Sequence, residues 1–123
     1  ETNRKLVSEF AKQVLVDRQH HSIETYIATD LIQHDSKTAD GAAALLRSLE
    51  AAENGAPLKA YHRVHRVLAE GNFVLCMSEG EKDGLHSSFY DLFRIADGKI
   101  SEHWNTVSTI APRHEWKNDN GKF

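Results

Sequence analysis

Residues 91–105 read DLFRIADGKISEHWN. Two stretches rich in strand formers flank Asp97-Gly98, a strong hairpin signal. The hairpin has two plausible registers. With a two-residue Asp97-Gly98 turn, Ala96 pairs with Lys99 and Asp91 lies opposite Trp104. With a three-residue loop and Gly98 left-handed, Ile95 pairs with Lys99, Asp91 lies opposite His103, and Phe89 lies opposite Asn105. A slip of one residue exchanges the faces, so the register decides what this hairpin is for. We favour the second, because ADGK suits a type I turn followed by a glycine bulge and because it sets a carboxylate beside an imidazole. One face then carries Phe89, Asp91, Phe93, Ser101, His103, Asn105 and Val107. Apolar ground with a few convergent polar groups is the character of a small-molecule pocket. The other face carries Tyr90, Leu92, Arg94, Glu102 and Trp104, a candidate dimer face.

Moving outward, two more strands precede the two that form this hairpin. LKAYHRVHRVLAE, NFVLCMSEGE, LHSSFYDLFRIA and KISEHWNTVSTI are all rich in Val, Ile, Phe, Tyr and Thr. Gly71-Asn72 and Asp83-Gly84 separate the earlier ones, so an antiparallel meander is expected. On the first of them His62 and His65 alternate in direction, and either could point inward. The strands exceed the usual ~5–6 residues. Long antiparallel strands twist, and such a sheet curls around what it packs on.

Before Pro57 the period is helical. ETNRKLVSEFAKQVLVDR spaces Leu6, Val7, Phe10, Val14 and Leu15 along one face, with Thr2 or Asn3 as candidate caps. A short helix from Ser22 presents Ile23, Tyr26 and Ile27, and Asp30–Ser36 is expected to be irregular or briefly extended. DGAAALLRSLEAAENG makes a third helix, with Asp40 as N-cap, Leu45, Leu46 and Leu49 as its stripe, and Gly55 and Pro57 as its stop. Three N-terminal helices followed by a long curved antiparallel sheet make a single α+β domain over residues 1–123, the helices capping a sheet curled into a cone. The tail PRHEWKNDNGKF is polar and should lie across the surface.

Composition narrows the function. The 123 residues carry a net charge of -3 with no basic stripe, which argues against nucleic acid. No apolar run approaches the roughly 18 residues of a membrane span. The lone cysteine, Cys76, excludes an intrachain disulfide and reads as a small buried apolar residue. The cytoplasm is the default compartment, and a chain starting at Glu1 without methionine is compatible with a removed leader. Eight histidines suggest metal ligation or acid/base work. His34, His65 and His103 could meet Asp91 around a metal, but their long spacing lacks any metal signature such as HExxH, so no metal is expected.

The stretches YIATDLIQHDS, HRVLAEGN and DLFRIADGKISEHWN resemble the SnoaL-like branch of the nuclear transport factor 2-like superfamily, which includes polyketide cyclases and predicted aldol-condensation enzymes. The resemblance spans nearly the whole chain. It implies a cone-shaped α+β barrel of the nuclear transport factor 2-like or cystatin-like type, a homodimer, and a pocket for a small hydrophobic molecule. It also implies acid/base chemistry on a carbonyl compound, of the aldol-cyclisation or isomerisation type, without cofactor. In that frame Asp91 and His103 are the catalytic pair. His34, His65, Asn105, Tyr26, Phe89 and Phe93 contact substrate, and His65 is the inward histidine of its strand. The chain departs from its relatives' pattern at Asp35, Asn105 and Ser108, where they carry asparagine, aspartate and glutamine; in the cyclases a catalytic aspartate falls near Ser108. The alternative reading is a non-catalytic ligand-binding or protein-interaction module, with Asp91 and His103 as a cross-strand ion pair.

Overall fold

The computed structural model of the chain covers Glu1–Phe123. Helix α1 runs Thr2–Phe10 and continues as a wider π-helical turn over Ala11–Val16. A 3₁₀ turn at His20–Ser22 leads into α2, Ile23–Tyr26, then β1, Ile27–Gln33, and α3, Ala42–Glu50. A small hairpin, β2 (Ala52–Glu53) and β3 (Ala56–Pro57), precedes four long strands: β4 Lys59–Glu70, β5 Phe73–Lys82, β6 Leu85–Ala96 and β7 Lys99–Thr109. No helix is long and apolar enough to cross a membrane.

The main sheet is five-stranded in the order β1-β7-β6-β5-β4. The four long strands form the expected antiparallel meander, but β1 pairs parallel with β7, so the sheet is mixed. Ile27 therefore opens a strand rather than closing α2, and of Asp30–Ser36, expected to be irregular or briefly extended, residues 30–33 are extended. Its β-branched residues Ile27, Thr29 and Ile32 suit a strand, and β7 offers an edge to pair with. Helix capping also differs. Asp40 does not cap α3; its Oδ1 accepts the Gln33 N–H at 2.8 Å. Gly41 holds the N-cap place with φ 100, a conformation that favours glycine. Asn3 caps nothing either, but donates from Nδ2 to the Gly71 carbonyl at 3.0 Å, tying α1 to the β4–β5 turn.

The β6–β7 turn has two residues, not three. Asp97 and Gly98 have φ 51 and 73, both left-handed, and Ala96 pairs with Lys99. That is the type I′ geometry Asp-Gly favours. The register then shifts between Ile95↔Ile100 and Arg94↔Glu102, leaving Ser101 as an extra residue on β7. Beyond it Phe93 faces His103, Leu92 faces Trp104, Asp91 faces Asn105, and Phe89 faces Val107. The expected pairings of Asp91 with His103 and of Phe89 with Asn105 are thus corrected by two residues. Because the correction is even, Asp91, Phe93, His103 and Asn105 still share one face.

The helices lay Val7, Phe10, Val14, Leu15, Leu45 and Leu49 on the concave sheet face, against Val74, Phe89, Phe93 and Ile100. Each fully buried side chain of this size contributes about 1.5–3 kcal/mol. Phe10 meets Tyr26 and Phe93 edge-on, with ring centroids 5.9 and 5.7 Å apart. Across the sheet Gly80 pairs with Tyr61, and a Cβ there would sit 1.9 Å from the Ala60 carbonyl oxygen. Only glycine lets β4 approach β5 this closely, and that approach carries Tyr61 inward.

Candidate active site

Asp91 is 1% exposed and His103 4% exposed, so an aspartate and a histidine lie in the same core as Phe10 and Phe93. Burying either charge alone would be costly, and each is satisfied by the other: His103 Nε2 is 2.7 Å from Asp91 Oδ1. The bulge at Ser101 makes this contact diagonal across the strands rather than straight across. Tyr61 donates its hydroxyl to Asp91 Oδ2 at 2.9 Å. On the other side His103 Nδ1 is 3.0 Å from Gln33 Oε1.

The Gln33 contact orients the imidazole ring. The Asp35 backbone N–H donates to the same Gln33 Oε1 at 3.0 Å, so that atom is an acceptor. His103 Nδ1 must then carry a proton. The 2.7 Å contact of His103 Nε2 with Asp91 Oδ1 is a hydrogen bond between the two groups. Burial first, and then the adjacent Asp91 charge, raise the Tyr61 phenol well above its usual range, so Tyr61 acts only as a neutral donor.

Aromatic rings hold the groups in place. His103 stacks on Phe93 with centroids 4.8 Å apart, and Tyr61 stacks on Phe89 at 4.3 Å. Asn105, opposite Asp91, donates from Nδ2 to Asp35 Oδ2 at 3.4 Å. Partial burial pushes the Asp35 carboxyl upward, but the Lys37 N–H and the Asn105 amide outweigh it and hold it below its ordinary value. Between helices and sheet lies a cavity of about 10 Å³, lined by Phe10, Leu15, Leu45, Leu49, Lys59, Tyr61, Asp91, Phe93 and His103. That is room for roughly one water molecule.

Three expected site residues, His34, His65 and Tyr26, are engaged elsewhere. His34 stacks on Trp104 at 4.6 Å and places Nε2 2.7 Å from Glu102 Oε2, on the outer side of β7. That contact, with Arg94 Nε donating to Glu102 Oε1 at 2.8 Å, depresses the Glu102 carboxyl. His65 does not point inward, because register shifts between Tyr61 and Arg63 and between Val64 and Arg66 break the alternation of β4. It sits on the outer face, its Nε2 2.8 Å from Glu79 Oε1 and its ring 4.0 Å from that of Phe123 in the tail. His86 holds the other Glu79 oxygen, and these two histidines pull the Glu79 carboxyl down. His34, His65 and His103 therefore do not converge. Tyr26 is buried but turned to Gln13, whose Oε1 accepts its hydroxyl at 2.8 Å. Ser108 pairs with Ser88 next to Val107 and so falls on the outer face. Cys76 is fully buried, and burial lifts its thiol to about 11, which leaves it inert at neutral pH.

Tyr61, Gln33, Asp35 and Lys59 are the participants that sequence reasoning left out. Gln33 lies inside the IQHDS stretch, and only the parallel β1–β7 pairing brings it to His103. Tyr61 shares the inner face of β4 by simple alternation, a signal masked by the two histidines after it.

The SnoaL-like domain family matches residues 7–103. No curated protein matches the chain. Among solved structures, a Xanthomonas campestris protein of unknown function with a cystatin-like fold is 24% identical, covering 86% of this chain and 90% of its own, at a TM-score of 0.69. A candidate ketosteroid isomerase from Kribbella flavida is 17% identical, with coverages of 99% and 93% and a TM-score of 0.76. A candidate polyketide cyclase from Acidithiobacillus ferrooxidans is 15% identical, with coverages of 87% and 88% and a TM-score of 0.64. At these identities the likeness establishes the nuclear transport factor 2-like, cystatin-like fold.

Proposed function

The chain belongs to the SnoaL-like domain family, and from that premise and the site's geometry we propose an enzyme that moves a proton next to the carbonyl of a small apolar molecule. One observation carries the reading: a continuous hydrogen-bonded chain, Tyr61–Asp91–His103–Gln33, crosses an otherwise apolar core. A fold gains little from burying such a chain, since apolar side chains of the same volume are often as stable or more so. Asp91 is the base. It takes the α-proton, and the electron pair of that C–H bond moves onto the carbonyl oxygen as an enolate. As Asp91 takes up the proton, Tyr61 redirects its one hydroxyl proton from the carboxylate to the enolate oxygen. His103 holds the carboxylate in place and balances its charge, and Gln33 fixes the imidazole ring. Asn105 and Phe93 border the reacting groups. Return of the proton to the same or another carbon gives exchange or isomerisation.

The test is deuterium exchange. Cyclohexanone and related cyclic ketones are incubated in D₂O with the protein, and α-deuteration is followed by NMR. The wild-type chain should accelerate exchange, and Asp91→Asn should remove roughly 10²-fold or more of that acceleration. Equal rates with both proteins, in samples shown to be folded, would refute Asp91 as the base.

A second reading, a module that docks a partner, draws on the outer sheet face. Leu75, Met77, Leu92 and Trp104 are half-buried there, and Phe73 at 40% and Leu68 at 55% are exposed. Contiguous apolar surface of this kind marks an interaction site. We propose a second copy of the chain as its occupant, joined about a two-fold axis. Sedimentation velocity should then give a dimer, and Trp104→Glu a monomer; a monomeric wild-type chain would remove this role from the face.

A further inference from the structure

Lys59 opens β4 two residues before Tyr61 and lines the cavity that Asp91 and His103 share. Its backbone is held from three directions. Arg18 donates from Nη1 to the Lys59 carbonyl at 3.4 Å and from Nη2 to the Leu49 carbonyl at 3.1 Å. The adjacent Leu58 carbonyl accepts the Asp83 N–H at 2.8 Å, and Lys59 pairs with Lys82 across the strands. Its ammonium is free. Lys12 is bonded to Asp17, and Lys99 to the Glu24 and Thr25 carbonyls, but the Lys59 and Lys82 ammonium groups have no such partner.

Two like charges directly opposite on adjacent strands destabilise a sheet. Both lysines here are only partly exposed, so the repulsion is less screened than on an open surface. The nearby acid that senses Lys59 is Asp35, whose oxygens already accept the Lys37 N–H and the Asn105 amide. Lys59 thus lines the cavity without a hydrogen-bonded or ion-paired acid, and Lys82 stands opposite it on β5.

We propose that Lys59, with Lys82 opposite it, binds an anionic group of the substrate, which makes the substrate a short oxo acid with its carbonyl at Asp91 and its carboxylate at the rim. This rests on the acid/base reading above for the carbonyl end only. The anion site is a separate claim about binding. A carboxylate there forms charge-assisted hydrogen bonds to an ammonium that lacks a partner in the free protein. Lys59 is accordingly a specificity-determining residue.

The probes are 4-oxopentanoate and its methyl ester, which differ in the anionic group. Binding is measured by NMR chemical-shift titration, and exchange α to the ketone is followed in D₂O. The wild-type chain should bind the acid roughly tenfold or more tighter than the ester. Lys59→Met should bring the acid down to the ester's level, and Lys59→Arg should keep the preference. Equal binding of acid and ester by the wild type, failure of both to bind, or a preference that survives Lys59→Met would each overturn the proposal. Preferential binding of the acid without exchange would support the anion site while removing the acid/base chemistry. Exchange of both probes at equal affinity would do the reverse.

Discussion

Replacing Asp91 by alanine is expected to lower the free energy of unfolding by about 3–5 kcal/mol. The carboxylate accepts both the Tyr61 hydroxyl and His103 Nε2 in a site where Asp91 is 1% exposed and His103 4% exposed. Its removal leaves a buried Tyr61 phenol without an acceptor and a buried His103 Nε2 without a partner. Urea denaturation followed by circular dichroism measures the loss, and a shift below ~1 kcal/mol would show that the network contributes little to folding. A companion variant separates structure from chemistry. Changing Tyr61→Phe, Asp91→Leu and His103→Phe together removes every member of the chain around the carboxylate, leaving no buried polar orphan among the three. That protein should recover most of the stability and retain none of the exchange activity, because a fully apolar replacement avoids the desolvation cost that a single truncation exposes.

Phe10→Ala is expected to cost about 3–5 kcal/mol as well, by a different route. Phe10 is 1% exposed and touches Tyr26 and Phe93 edge-on, so it joins α1 to α2 and to the sheet at once. It also lines the cavity of about 10 Å³ beside Asp91 and His103. Truncation would merge the volume of a benzyl group with that void, and the packed helices can close around it only in part. Equilibrium unfolding should show a lower midpoint with an unchanged slope. Benzene-sized ligands should raise the variant's melting temperature by more than the wild type's. A variant that loses stability but binds no such ligand would mean that the site collapses instead of opening. The same experiment reports how far the helical layer must move before the natural cavity admits anything larger than water.

Much of the fold was legible because its signals are local. Apolar spacing at Val7, Phe10, Val14 and Leu15 can serve only a helix with one buried face, and all four are buried. Asp83-Gly84 and Asp97-Gly98 are dipeptides that accept left-handed backbone, and all four residues adopt it. The strand Ile27–Gln33 was only half visible, because a short extended segment is stabilised by the edge it meets rather than by its own pattern. Within the site, Asp91 and His103 were visible as polar residues on an apolar face. His65 was misplaced because the register shifts in β4 arise from pairing with β5, where Gly80 admits a close approach that no feature of β4 announces.

By itself, then, the sequence determined that DLFRIADGKISEHWN is a hairpin turning at Asp97-Gly98, with Asp91 and Phe93 on one face of β6 and His103 and Asn105 on one face of β7. Strand geometry alternates with period two, so each strand fixes its own faces but not which of them meet across the pair. Tertiary structure decided the rest. It placed the extra residue at Ser101, drew Gln33 and Tyr61 to the two ends of the Asp91–His103 pair, and turned His34 and His65 to the other side. It also closed the helices down until room for about one water remained. These outcomes depend on many weak contacts between distant segments. Each is smaller than the balance it tips, so no local pattern could have encoded them.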